Sequence, residues 1–268
     1  MFDIGMVFPV TDAAALIGLV SIYVCAAVMS GLSGFGFSAI GALSLIYLPP
    51  TIAISMLMML SLATQALSFS SLWGELRIYS RPWYRPDGVL PYCVGGVLGM
   101  PVGIEIMAVV DAKDLMIAFG LLLVLYSGYS LLKPATSSCH GATGWRSSLL
   151  VGACGGCIGG FTAFPGSILV IWTSLIGASK ERGRALTQPF VFFMQLVGLA
   201  VIAVTRPQIF SAQLLTLFAA MVPLALIGSW VGVAIYRRTN QVNYRNICFA
   251  ALGLSGLGLL LKLGLSSH

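Results

Sequence analysis

Charge is what this sequence has least of. Only 8% of its 268 residues are Asp, Glu, Lys or Arg, while 58% are hydrophobic. A water-soluble domain carries roughly a quarter charged residues, so there is too little polar surface here to cover a globule in water. Histidine is almost missing, with only His140 and His268, and there are eight carboxylates. That poverty disfavours a divalent-metal permease. No Ser/His/Asp constellation, Walker-type loop or dinucleotide fingerprint appears, so neither an enzyme nor a bound cofactor is expected, and ATP-driven work would need another chain. No Lys or Arg precedes Arg77, and a cleavable signal peptide needs a positive n-region, so none is expected. The six cysteines are scattered, mostly in apolar runs, and read as small buried hydrophobes instead of a disulfide framework. A net charge of +6 is compatible with nucleic acid, but the basic residues sit in short gaps between apolar runs. They read as loop charges that set membrane topology, with no nucleic-acid partner.

Long apolar runs are what the chain does have. They cover 13–48, 51–73, 88–110, 115–132, 147–176, 185–204, 212–236 and 246–263. One membrane-spanning helix needs about 20 residues. The runs 13–48 and 147–176 are too long for one pass, and each is interrupted by glycine or proline among small hydroxyl residues. The first break is Gly31-Leu32-Ser33-Gly34-Phe35-Gly36-Phe37-Ser38 and the second is Gly160-Phe161-Thr162-Ala163-Phe164-Pro165-Gly166-Ser167. Each run is expected to form a hairpin of two short helices meeting at its break, and the other six are expected to be single spans.

The second break lies 129 positions after the first, and that offset holds without a gap along the chain. It pairs Arg77 with Arg206, Gly99 with Gly228, Gly103 with Gly232 and Lys133 with Lys262. The sequence therefore predicts an all-α polytopic membrane protein of two repeats, 1–134 and 135–268, each a broken-helix hairpin plus three transmembrane helices. With the N-terminus outside, eleven of the fourteen Lys and Arg fall inside and only Lys113, Arg206 and Lys262 outside. Matching loops carry opposite loads. Pro49-Pro50-Thr51 is uncharged where its counterpart holds Lys180, Arg182 and Arg184. Reversed loop charge on similar halves points to an inverted repeat, a transporter design in which broken segments at matching positions mark the binding site.

The candidate substrate site is therefore the two breaks: Ser33, Gly34, Phe35, Gly36, Phe37 and Ser38 with Thr162, Ala163, Phe164, Pro165, Gly166 and Ser167. Amides at a short helix's N-terminus carry the positive dipole end, hydroxyls add donors, and glycine lets a small anion approach the backbone. The plainer reading is that small residues permit close helix packing. Phe35, Phe37, Phe161 and Phe164 serve either as a gate or as apolar filling. Gln65, Gln188 and Gln195 are neutral amides in apolar helices, suited to an oxyanion or to helix–helix hydrogen bonding. Arg77 and Arg206 sit at matching helix ends, as entrance charges for anions or as interfacial anchors. Glu105 is the one carboxylate well inside a run; it either couples a proton or reaches the interface. Cys154-Gly-Gly-Cys157 has thiol-redox spacing, against simple packing of small residues. Gly99-x-x-x-Gly103 and Gly228-x-x-x-Gly232 read as helix-contact faces.

At its two breaks the chain resembles the TauE/SafE sulfite exporter family, also called the sulfonate uptake permease family. The matching residues are Gly31-Leu32-Ser33-Gly34-Phe35-Gly36 and Gly159-Gly160-Phe161-Thr162-Ala163-Phe164-Pro165-Gly166, followed by Ala53-Ile54-Ser55 and Ala185-Leu186-Thr187. Phe37 and Ser38 stand where a glycine is usual, and Pro165 comes early. The resemblance implies a secondary transporter in the bacterial inner membrane that exports a small sulfur-containing anion such as sulfite or an organosulfonate. Its partners are that anion and the lipid bilayer; a coupling proton or cation and a homodimer stay open. The alternatives are a thiol-redox protein using Cys154 and Cys157, or a permease for another small anion or a metal ion.

Overall fold

The computed structural model describes residues 13–48, 50–80, 83–109, 112–132, 144–162 and 164–265. Asp3, Asp12, Pro49, Arg81, Lys133, Cys139, Ala163 and both histidines lie outside the described residues, as do the side chains of Glu105, Phe161 and Lys262. The described residues are predominantly helical, with no strand among them. The helices are α1 (Ala13–Ser33), α2 (Phe37–Gly41), α3 (Pro50–Ser71), α4 (Trp73–Ser80), α5 (Val89–Val109), α6 (Ala112–Leu132), α7 (Trp145–Thr162), α8 (Gly166–Leu175), α9 (Lys180–Thr205), α10 (Ala212–Arg238) and α11 (Gln241–Leu265). Ala13–Ser33, Ile52–Ser71, Lys180–Thr205 and Ala212–Arg238 are each long and apolar enough to cross a membrane. The protein is a multi-pass α-helical membrane protein.

The 129-residue offset reappears in where helices stop and start. α1 ends at Ser33 and α7 at Thr162; α2 starts at Phe37 and α8 at Gly166. α5 ends at Val109 and α10 at Arg238; α6 starts at Ala112 and α11 at Gln241. The hairpin arms, however, are unequal, unlike the two short helices expected. α1 has 21 residues and rises about 32 Å at 1.5 Å per residue, enough for a bilayer core. After the break only five residues of α2 and a 3₁₀ turn (Ala42–Ile46) remain. The cause is where the break falls, which leaves most of the run on its N-terminal side.

Packing exchanges the halves. α1 lies against α10, and α7 lies against α5, so each hairpin's long helix packs on the second of the three spans of the other half. α6 pairs with α11, and α9 touches α3, α4, α5, α7, α8 and α11. Glycine makes the two exchanged seams. A side chain at Gly95, Gly99 or Gly103 would collide with the carbonyls of Leu149, Ala153 or Cys157 on α7. One at Gly31 would strike the Ser229 carbonyl, and one at Gly232 the Val28 carbonyl. In lipid, helices associate through such close van der Waals contact because apolar burial alone does not favour it. Both glycine pairs singled out in the sequence are therefore helix-contact faces, and both seams join one half to the other.

Candidate functional site

The two breaks are built alike. In the first, Ser33 Oγ donates to the Met29 carbonyl (2.7 Å) and accepts from the amides of Gly36 (2.9 Å) and Phe35 (3.3 Å). In the second, Thr162 Oγ1 donates to the Ile158 carbonyl (2.7 Å) and accepts from the Phe164 amide (3.1 Å). A hydroxyl that bonds back to the carbonyl four residues earlier is a usual partner for Ser and Thr in helices. Here it also accepts from amides of the turn, which have no helical carbonyl before the next helix starts. Gly34 makes the turn at φ +80°, a conformation costly for any residue with a Cβ. Pro165 caps the start of α8 and packs on Gly159 and Gly155 of α7.

The tips meet. The rings of Phe35 and Phe164 stack with centroids 6.1 Å apart and planes 20° apart, and Gly166 lies against Phe35 and Val191. Phe37 goes elsewhere, stacking on Tyr23 at 6.1 Å in a separate core cluster. Ser167 Oγ donates to the Phe164 carbonyl, whereas Ser38 Oγ is buried without a hydrogen-bond partner.

Beside the tips runs a buried polar belt formed by α3 and α9. Gln65 Nε2 donates to Gln195 Oε1 at 3.0 Å and to Ser61 Oγ at 2.9 Å, and Gln195 Nε2 donates to the same Ser61 oxygen at 2.9 Å. Gln188 Nε2 reaches the Gln65 carbonyl at 3.4 Å. Ser30 and Thr64 share a hydrogen bond at 3.1 Å, as do Ser68 and Ser229 at 3.2 Å. All three glutamines are buried, and Gln65 Oε1 has no hydrogen-bond partner. Gln65 and Gln195 are thus in direct contact although they sit one position out of repeat register.

The charge pattern of the sequence places Arg184 in a loop. The structure instead starts α9 at Lys180, capped by Ser179 Oγ accepting from the Arg182 amide, and buries Arg184 to 1% exposure. Its guanidinium donates to the Leu32 and Gly31 carbonyls at 2.7 Å each and to Gln188 Oε1 at 3.0 Å, and lies 4.3 Å from the Tyr236 ring centroid. Tyr244, edge-on to Tyr236, donates its hydroxyl to the Ser33 carbonyl at 3.2 Å. The signal for Arg184 was present in its spacing. It lies four residues before Gln188, and Gln195 follows seven later, which puts all three on one helix face.

From Tyr244 and Thr187 a cavity of about 600 Å³ opens between α6, α8, α9 and α11, lined also by Lys180, Gly183, Arg245, Tyr126 and Tyr129. Arg77 and Arg206 are both exposed, on α4 and just after α9, and neither is brought to the tips. Cys154 is exposed, and Cys157 has its carbonyl against Gly103 in the α5–α7 seam; both thiols are free. No cluster of three His, Cys, Asp or Glu occurs among the described residues.

Among protein families, the model described as Sulfite exporter TauE/SafE matches residues 19–259. Comparison with curated proteins and with solved structures returned no match.

Proposed function

Because the chain belongs to the TauE/SafE sulfite exporter family, a family of transporters, we propose that it carries a small sulfur-containing oxyanion, such as sulfite or an organosulfonate, across the bacterial inner membrane as a secondary exporter. The single observation that carries this reading is the meeting of both broken segments, Phe35 on Phe164, beside a glutamine belt deep within an otherwise apolar bundle. Broken backbone is tolerated at membrane depth only where protein or a wet cavity surrounds it. The anion binds at the tips, reached through the Lys180–Tyr244 cavity, with the remaining amide protons of Gln188 and Gln195 as neutral donors and Gln65 holding Gln195 in place. Ser33 and Thr162 act by holding the tip amides, since their hydroxyl protons are directed at Met29 and Ile158. The two halves run antiparallel, the N-terminus lies outside, and the stacked phenylalanines close the path between the two faces.

The test is binding and flux by purified protein, with sulfite, sulfate, thiosulfate, sulfoacetate and taurine as ligands. Replacing Ser33 and Thr162 together by alanine releases their amides and weakens binding, as read by calorimetry. Undiminished affinity in that double variant counts against the tips as the site.

A further inference from the structure

A helix that stops inside a protein presents its last carbonyls, carrying about half a unit of negative charge, to whatever lies beyond. α1 stops at Ser33, so the carbonyls of Gly31 and Leu32 come to the tip. Left bare, that end repels an anion. The Arg184 fork covers both carbonyls at 2.7 Å. Its stem borders the turn itself, because a Cβ at Gly34 would stand 3.3 Å from Arg184 Cγ. Two N–H groups on adjacent carbonyls use the planar guanidinium, and a lysine offers only a point charge. At the repeat-equivalent position, 129 residues earlier, stands Ser55, so the second tip does not receive an arginine from α3.

From these contacts we infer that Arg184 is a positioning residue for anion selection: it masks the negative end of α1 and leaves a positive charge beside the first tip. The inference rests on the transport reading above, since it supposes that the tip receives an anion.

The variants R184K and R184Q of the full chain, reconstituted in liposomes, test it. R184K keeps the charge and loses the fork, so KM for the transported oxyanion rises about tenfold while kcat stays within about twofold. R184Q loses both, and KM rises about a hundredfold or more. A second readout does not depend on flux. In a cysteine-free chain carrying T187C, the ratio of labelling by anionic and cationic methanethiosulfonates falls about tenfold in R184Q and holds within about twofold in R184K. Unchanged KM in R184K together with an unchanged ratio in R184Q overturns the inference. Where R184Q yields no monodisperse protein, the R184K split of KM from kcat decides alone, and an unchanged KM overturns it. A wild-type chain that moves none of the sulfur oxyanions, while the labelling ratio still shifts in R184Q, sinks the transport reading and leaves the role of Arg184 standing.

Discussion

Replacing Gly34 by alanine tests whether the first tip is held in the conformation described. The perturbation has two parts. An alanine at φ +80° costs about 1–2 kcal/mol over glycine. Its Cβ would also come within 3.2 Å of Gln188 Cβ and Oε1 and 3.3 Å of Arg184 Cγ, so those side chains must give way by a few tenths of an ångström. Loosening the 3.0 Å bond from Arg184 Nε to Gln188 removes about 1 kcal/mol more. The sum is roughly 2–3 kcal/mol, which lowers Tm by about 5–10 °C for a chain of this size. Thermal unfolding in detergent, followed by helical circular dichroism, measures it. Gly128→Ala is the control, because a Cβ there meets nothing within 4 Å. That substitution is expected to leave Tm unchanged or raise it slightly, through a helix propensity gain of about 1 kcal/mol. A Gly34→Ala protein melting within about 1 °C of the wild type refutes the strained tip.

Two other expectations follow from the packing and the charge pattern. A double-mutant cycle of Gln65→Leu and Gln195→Leu, read in the same melts, gives a coupling of about 1 kcal/mol for the buried amide pair; strict additivity would mean that the two amides do not bond in the membrane. Single cysteines placed at Pro49 and at Lys180 label from opposite membrane faces in oriented vesicles, and labelling of both from one face removes the antiparallel repeat.

The 129-residue offset was legible in the sequence because it runs without a gap, and the ends of α1 and α7 and the starts of α2 and α8 fall at the same spacing. The glycine seams were legible too, since close approach in lipid demands small residues at four-residue spacing. The partners of those seams were not. Nothing local in Gly103 says that it lies against Cys157 of the other half. The burial of Arg184 is hidden in the sequence for a related reason. It follows Lys180 and Arg182, and charge beside an apolar run reads as solvent-facing, although Ser179 caps the helix five residues before it. The hydroxyls of Ser33 and Thr162 look like ligand donors from their residue type alone; in the fold each satisfies its own backbone, which a broken helix needs first. Likewise Phe37 seems one of four equivalent tip aromatics until the three-residue turn directs it onto Tyr23.

The exchanged seams have a mechanical consequence. The two ends of the chain do not hold together separately in space, since α1 packs on α10 and α7 on α5 through close backbone contact. A cut in the 133–143 connection would therefore part each hairpin's long helix from the helix it packs on most closely, α1 from α10 and α7 from α5.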